Sequence, residues 1–192
     1  MKPTRIGHGA AALLLALVIA GLLAVVAQLG VQASPGGRVG FSGNPATTGG
    51  QTCTLCHASG AALPTVTISG PAAVTAGSTN AYRLTITGGP AVVGGFNVST
   101  ESGIGGLSPG ASDVQLITGE LTHTAPKPFS AGSVSFDFFW TAPASNDTVT
   151  FYGAGNSANG NGELTGDGVA ATVFDVTVSG SSGTPAPTAT RS

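Results

Sequence analysis

From Leu63 to Val178 the chain alternates apolar and polar residues with a period of two. Val66 and Ile68 alternate with Thr65 and Thr67, and Tyr82, Leu84 and Ile86 with Arg83, Thr85 and Thr87. The same rhythm returns at Phe96/Val98, Val114/Leu116, Val134/Phe136/Phe138, Val149/Phe151 and Phe174/Val176/Val178. Successive strand side chains point to opposite faces, so each run reads as a half-buried strand, and each is bounded by Gly, Pro, Asn or Asp. About seven or eight such strands predict an all-β fold, an immunoglobulin-like antiparallel β-sandwich over residues 63–179.

The flanks break the pattern. Lys2 and Arg5 precede an apolar run from about Ala10 to Val26, and Val31-Gln32-Ala33 offers small residues for cleavage before Ser34. Residues 1–33 therefore read as a secretory signal. Their apolar core is nearly long enough to span a bilayer, so an uncleaved N-terminal anchor is the alternative and the only predicted contact with a membrane. Both place the rest of the chain outside the cytoplasm, in the periplasm or at the cell surface. Residues 34–62 are rich in Gly, Ser, Pro and Thr and are expected to form an irregular lead-in. Residues 180–192 have the composition of a disordered Pro/Thr/Ser tail.

Composition narrows the partners. Only 7% of residues are charged, against 31 glycines. Such a chain favours strands and turns over surface helices held by Glu–Lys pairs. Setting Lys2 and Arg5 aside, four basic residues face eight acidic ones, a net charge of −4. Nothing basic is clustered, which argues against a nucleic-acid partner.

The chemistry concentrates in Cys53-Thr54-Leu55-Cys56-His57, which contains the only two cysteines of the chain. This spacing is that of c-type haem attachment. Two thiols one helical turn apart can form thioethers to the haem vinyl groups, and the histidine that follows lies where its imidazole can ligate the iron. Export agrees, because bacterial haem c is attached outside the cytoplasm. One covalent haem c is therefore the expected cofactor, with redox proteins as partners and an electron carrier rather than a catalyst as the outcome. Three other readings compete. A disulfide over two intervening residues is strained. Zinc wants four ligands, and adjacent Cys56 and His57 are awkward on one tetrahedral ion. A thioredoxin-like motif would need a βαβ context.

Two further features bear on metals. Residues 153–167 read as one glycine-rich loop carrying Asn156, Asn159, Asn161, Glu163 and Asp167, oxygen donors of the kind calcium takes, although the spacing is not that of an EF-hand and Asn-Gly pairs also make ordinary turns. His123 alternates with Leu121 on a predicted strand. After the leader it is the only histidine besides His57, and the only methionine is Met1, so His123 is the candidate distal ligand. The α-amine of Ser34, if cleavage occurs there, is a second candidate, an arrangement resembling cytochrome f. An open iron, as in a haem sensor or enzyme, is a third. No Ser-His-Asp set or paired carboxylates emerge from spacing, so hydrolase chemistry has no support. A structural or adhesive surface module whose cysteines merely pair remains the alternative from another class.

The order of residues 52–57, Gly94-Gly95-Phe96, Leu121-Thr122-His123-Thr124, Phe139-Trp140-Thr141-Ala142-Pro143 and 151–167 resembles the bacterial choice-of-anchor V domains. These are similar in outline to the reeler domains of animal extracellular proteins. The resemblance covers about residues 36–179 and implies a β-sandwich in the periplasm or on the cell surface. The family's apolar C-terminal anchor has no counterpart here, and the family name supplies no activity.

Overall fold

In a computed structural model, residues 34–59 and 62–180 are described. The leader and nearly all of the tail lie outside them. Among the described residues no helix is long and apolar enough to cross a membrane.

The period-two segments are strands, and they form two sheets. The smaller contains β2 (Pro64–Ser69), β4 (Thr79–Gly88), β6 (Gly106–Pro109) and β10 (Ser133–Thr141), in the order β2-β4-β10-β6. The larger contains β1 (Ala58–Ser59), β5 (Val93–Thr100), β7 (Val114–Ile117), β8 (Glu120–His123), β11 (Asp147–Ala158) and β12 (Thr165–Ser179), in the order β1-β12-β11-β5-β8-β7. Two short strands complete it: β3 (Ala73–Thr75) beside β12, and β9 (Lys127–Pro128) beside β5. The fold is all-β and an immunoglobulin-like sandwich. It is not purely antiparallel, because β1 and β3 both run parallel to β12.

The alternation maps onto this architecture. In β2 the odd positions are exposed and Val66 and Ile68 are buried. In β10 Val134, Phe136, Phe138 and Trp140 face inward. Tyr82 and Phe151 meet edge-on at 4.9 Å, Trp140 and Phe151 at 5.0 Å, and Phe96 stacks on Phe136 at 4.3 Å. Aromatic pairs in these geometries add to what area burial alone supplies.

Residues 153–167 are not one long loop: β11 continues to Ala158, β12 starts at Thr165, and only 159–164 connect them. Gly153 and Gly155 read as loop residues, but they are core positions of β11. A Cβ at Gly153 would stand 2.9 Å from Ile68 Cδ1, and one at Gly155 2.7 Å from Ile86 Cγ1. The glycines let the facing sheet approach the backbone.

Candidate functional site

The lead-in is built into the sandwich. In β5, Phe96 and Val98 point into the core, so Gly95, Asn97 and Ser99 point to the outer face of the larger sheet. Around these residues that face is covered by residues 34–57, and the contact is polar. The Asn97 carboxamide oxygen accepts from Phe41 N–H at 2.7 Å, and its nitrogen donates to the Leu121 carbonyl. Ser42 and Ser99 hydroxyls pair at 2.7 Å. Asn44, fully buried, donates to Ser99 Oγ and the Thr100 carbonyl while its oxygen caps a one-turn helix, α1 (Pro45–Thr48), at Ala46 N–H. Glu120 accepts from Gly40 N–H at 2.7 Å. The oxygen and nitrogen of both side-chain amides, Asn44 and Asn97, are matched in this dock, as burial requires.

The cysteine segment follows as one capped turn. Thr52 bridges to Ser42 and caps Thr54 N–H with its hydroxyl. Residues Cys53–Leu55 form a 3-10 turn, and Cys56 and His57 N–H both donate to the Cys53 carbonyl, at 3.2 and 2.9 Å. Both thiols are free. Burial pushes the Cys53 thiol up to about 12, so it stays protonated at neutral pH. Directly after His57, β1 pairs with the start of β12, placing Ser59 opposite Asp167.

That pairing positions the histidine. His57 Nδ1 lies 2.5 Å from Asp167 Oδ2; the carboxylate is 1% exposed and the imidazole 17%. Asp167 Oδ1 accepts from Asn159 N–H at 3.1 Å, so both carboxylate oxygens are engaged. Asn156 Nδ2 stands 3.2 Å from His57 Nδ1 and 3.4 Å from Nε2. The two in-plane lone-pair directions of an imidazole diverge, so an atom nearly equidistant from both nitrogens lies along neither. Asn156 Oδ1 is buried beside the ring and has no partner among the described residues.

His123 approaches the same face by another route. Gly95 lies directly opposite Asn156 in the β5–β11 ladder, so the two share a face. The His123 ring occupies the space a Gly95 side chain would fill, with Cε1 2.5 Å from an ideal Cβ. Its Nδ1 accepts from Phe96 N–H at 3.2 Å, and the main chain of Ser34 also bonds the ring. Burial is the larger influence and lowers its pKa, favouring neutral imidazole. The ring thus closes a gap in the sheet between β8 and β9. Ligation of iron by His123 requires one of these two bonds to break. Ser34, the other distal candidate, lies at the same place.

The remaining candidates separate. Of the calcium donors, Asn156 and Asp167 belong to the His57 cluster. Asn159 Oδ1 and Asn161 Oδ1 accept from the N–H groups of Asn161 and Glu163 in the 159–164 turn. Among the described residues no three His, Cys, Asp or Glu side chains converge to hold a metal ion. Trp140 is wholly buried in the core with Nε1 on the Ile104 carbonyl, and Phe129 packs against that core, so neither reaches the His57 cluster. Tyr152 lies on the outer face, in a shallow groove of about 270 Å³ lined by Ser42, Gly43, Ala171, Thr172 and Val173 as well. A Cβ at Gly43 would lie 3.4 Å from Thr52 Cγ2, so the groove borders the cysteine turn.

Sequence reasoning did not anticipate the Asp167–His57 pair or the polar dock. Asp167 is 110 positions from His57, and no local pattern connects them. Gly95 is the local sign of the close approach by His123, since only a residue without a side chain leaves room for the ring.

No protein-family profile matches the chain, and no curated protein does. Among solved structures it is similar to the CARDB domain of a Pyrococcus furiosus protein in complex with di-metal ions. That match has 17% identity and a TM-score of 0.34, covering 60% of this chain and 94% of that one. It is also similar to the PKD domain of an M14-like peptidase from Thermoplasmatales archaeon SCGC AB-540-F20. There the identity is 14% and the TM-score 0.35, covering 62% of this chain and 98% of that one.

Proposed function

We propose that this chain is an exported c-type haem protein that passes single electrons between redox partner proteins. Cys53 and Cys56 would hold the haem by thioethers and His57 would ligate its iron. Bound there, haem would supply a one-electron ferric/ferrous couple. The observation that carries the reading is the capped turn of residues 53–57. Both its thiols are free, and its histidine is held through Nδ1, leaving the Nε2 lone pair unclaimed along its axis. Carboxylate-held histidines of this kind are the usual form of a metal-ligating imidazole. The buried, unpartnered Asn156 Oδ1 beside the ring also fits a site completed by a bound group. His123 is the second histidine that would ligate the iron, and it would give up one of its main-chain bonds to do so. The leader supports export. The stretches that resemble choice-of-anchor V domains support that kinship, since residues 52–57, Gly95, His123, Asn156 and Asp167 gather on one sheet face.

A second reading, a structural or adhesive module without haem, is favoured by the completeness of the polar dock. The amides of Asn44 and Asn97 are satisfied by the protein alone.

Intact mass and absorption spectra of the full chain, co-expressed with haem-attachment machinery, separate the two readings. One added haem with a Soret band is expected, lost in the Cys53→Ala/Cys56→Ala variant. An unmodified mass from a host that matures other c-type cytochromes overturns the haem reading and leaves the module.

A further inference from the structure

We infer that Asp167 is the positioning residue of the His57 site. It sets which ring nitrogen is the ligand atom and how strongly that atom donates. The inference deepens the haem reading, on which the identity of the metal rests; the choice of nitrogen stands without it.

A carboxylate oxygen and an unprotonated ring nitrogen are both acceptors, so a 2.5 Å approach requires a proton between His57 Nδ1 and Asp167 Oδ2. In a neutral ring that proton leaves Nε2 with the lone pair. Free imidazole side chains mix both tautomers, so the carboxylate imposes a choice the residue itself does not make. The placement is stiff. Asp167 is held by Asn159 N–H through its other oxygen and lies opposite Ser59 in a strand pairing that starts one residue after His57. Asn156, the other neighbour of the ring, stands off both lone-pair directions and does not compete.

The electronic consequence follows from charge. A carboxylate on Nδ1–H pushes electron density through the ring and makes Nε2 a stronger donor. A stronger donor stabilises the ferric over the ferrous state, as axial ligands do generally. His57 should therefore hold the couple lower than an imidazole bonded to a neutral carbonyl would.

The test compares full-length wild type with Asp167→Asn and Asp167→Glu, after intact mass has established whether haem is attached. With haem attached, Asp167→Asn keeps the shape and an acceptor for Nδ1–H but loses the charge. Its ferric preference should fall on the order of tenfold, an upward shift of midpoint potential of about 59 mV for one electron. Asp167→Glu, which restores the charge, should recover part of the shift; both substitutions disturb a buried, doubly bonded side chain and should lower the melting temperature. A wild-type potential in fully haem-loaded Asp167→Asn overturns the inference. If no haem is attached to the wild type, the haem reading fails by that measurement, and long-range ¹⁵N–¹H spectra of the same protein decide the inference separately. A His57 ring protonated at Nδ1 upholds it, and one protonated at Nε2 overturns it.

Discussion

The larger sheet has an inner face that is buried and an outer face that is buried where residues 34–57 cover it, and the two are held by opposite kinds of chemistry. On the inner face Phe96, Val98, Val149, Phe151 and Val176 are at most 2% exposed and pack against Val66, Ile68, Leu84 and Ile86 of the smaller sheet. On the outer face Asn97, Ser99 and Asp167 are as deeply buried, and they are polar. Apolar contact is non-directional, each fully buried side chain contributing roughly 1.5–3 kcal/mol. A buried hydrogen bond nets only about 1 kcal/mol, yet a group left unmatched costs about 1–3 kcal/mol. The inner face therefore supplies stability, and the outer face supplies register. Residues 34–57 can dock in one alignment without orphaning Asn44 or Asn97, and that alignment sets His57 on Asp167.

The sharpest way to break the contrast is Trp140→Ala. Trp140 is fully buried, touches Tyr82 and Phe151, and donates to the Ile104 carbonyl. Urea denaturation should show a loss of about 3–5 kcal/mol across the whole domain. Asn44→Ala attacks the other face. Its three hydrogen bonds go with it, at a cost of about 1–3 kcal/mol. Hydrogen exchange should quicken at residues 41–57 while β4 and β10 keep their protection. Equal loosening of both sheets would mean the two faces are one cooperative unit.

The smallest effect concerns pH on the inner face. Burial pushes the Tyr82 hydroxyl, which donates to the Pro71 carbonyl, from 10.0 up to about 12. The unfolded chain ionises near 10 while the native state keeps its proton. This contribution is thus full below pH 10 and lost as pH rises toward 12. Urea midpoints of wild type between pH 9 and 11.5 should fall more steeply than those of Tyr82→Phe. Parallel curves would show that Tyr82 ionises as freely in the folded state as in the unfolded.

Legibility in the sequence followed the same division between faces. Val66, Ile68, Leu84, Ile86, Phe136 and Phe138 announce the inner face because a strand repeats every two residues, and burial simply follows that repeat. Outer-face residues carry no such sign. Asn97, Ser99 and Asn44 look like solvent or turn residues, since nothing local tells a polar group matched by a distant partner from one matched by water. Asn156 and Asp167 suggested calcium because they sit among other oxygen donors in sequence, whereas in space they belong to His57.

By itself the sequence determined the longer strands, the sandwich and the place of Cys53, Cys56 and His57 in one turn. These depend on spacings of two to four residues, which chain geometry converts directly into faces and turns. Tertiary structure alone decided that Gly153 and Gly155 are core positions, that His123 seals the sheet beside Gly95, and that a carboxylate 110 residues away meets His57. Those contacts depend on strand order. The β12-β11-β5 neighbourhood is chosen by packing of the whole domain, a property no short stretch of residues contains.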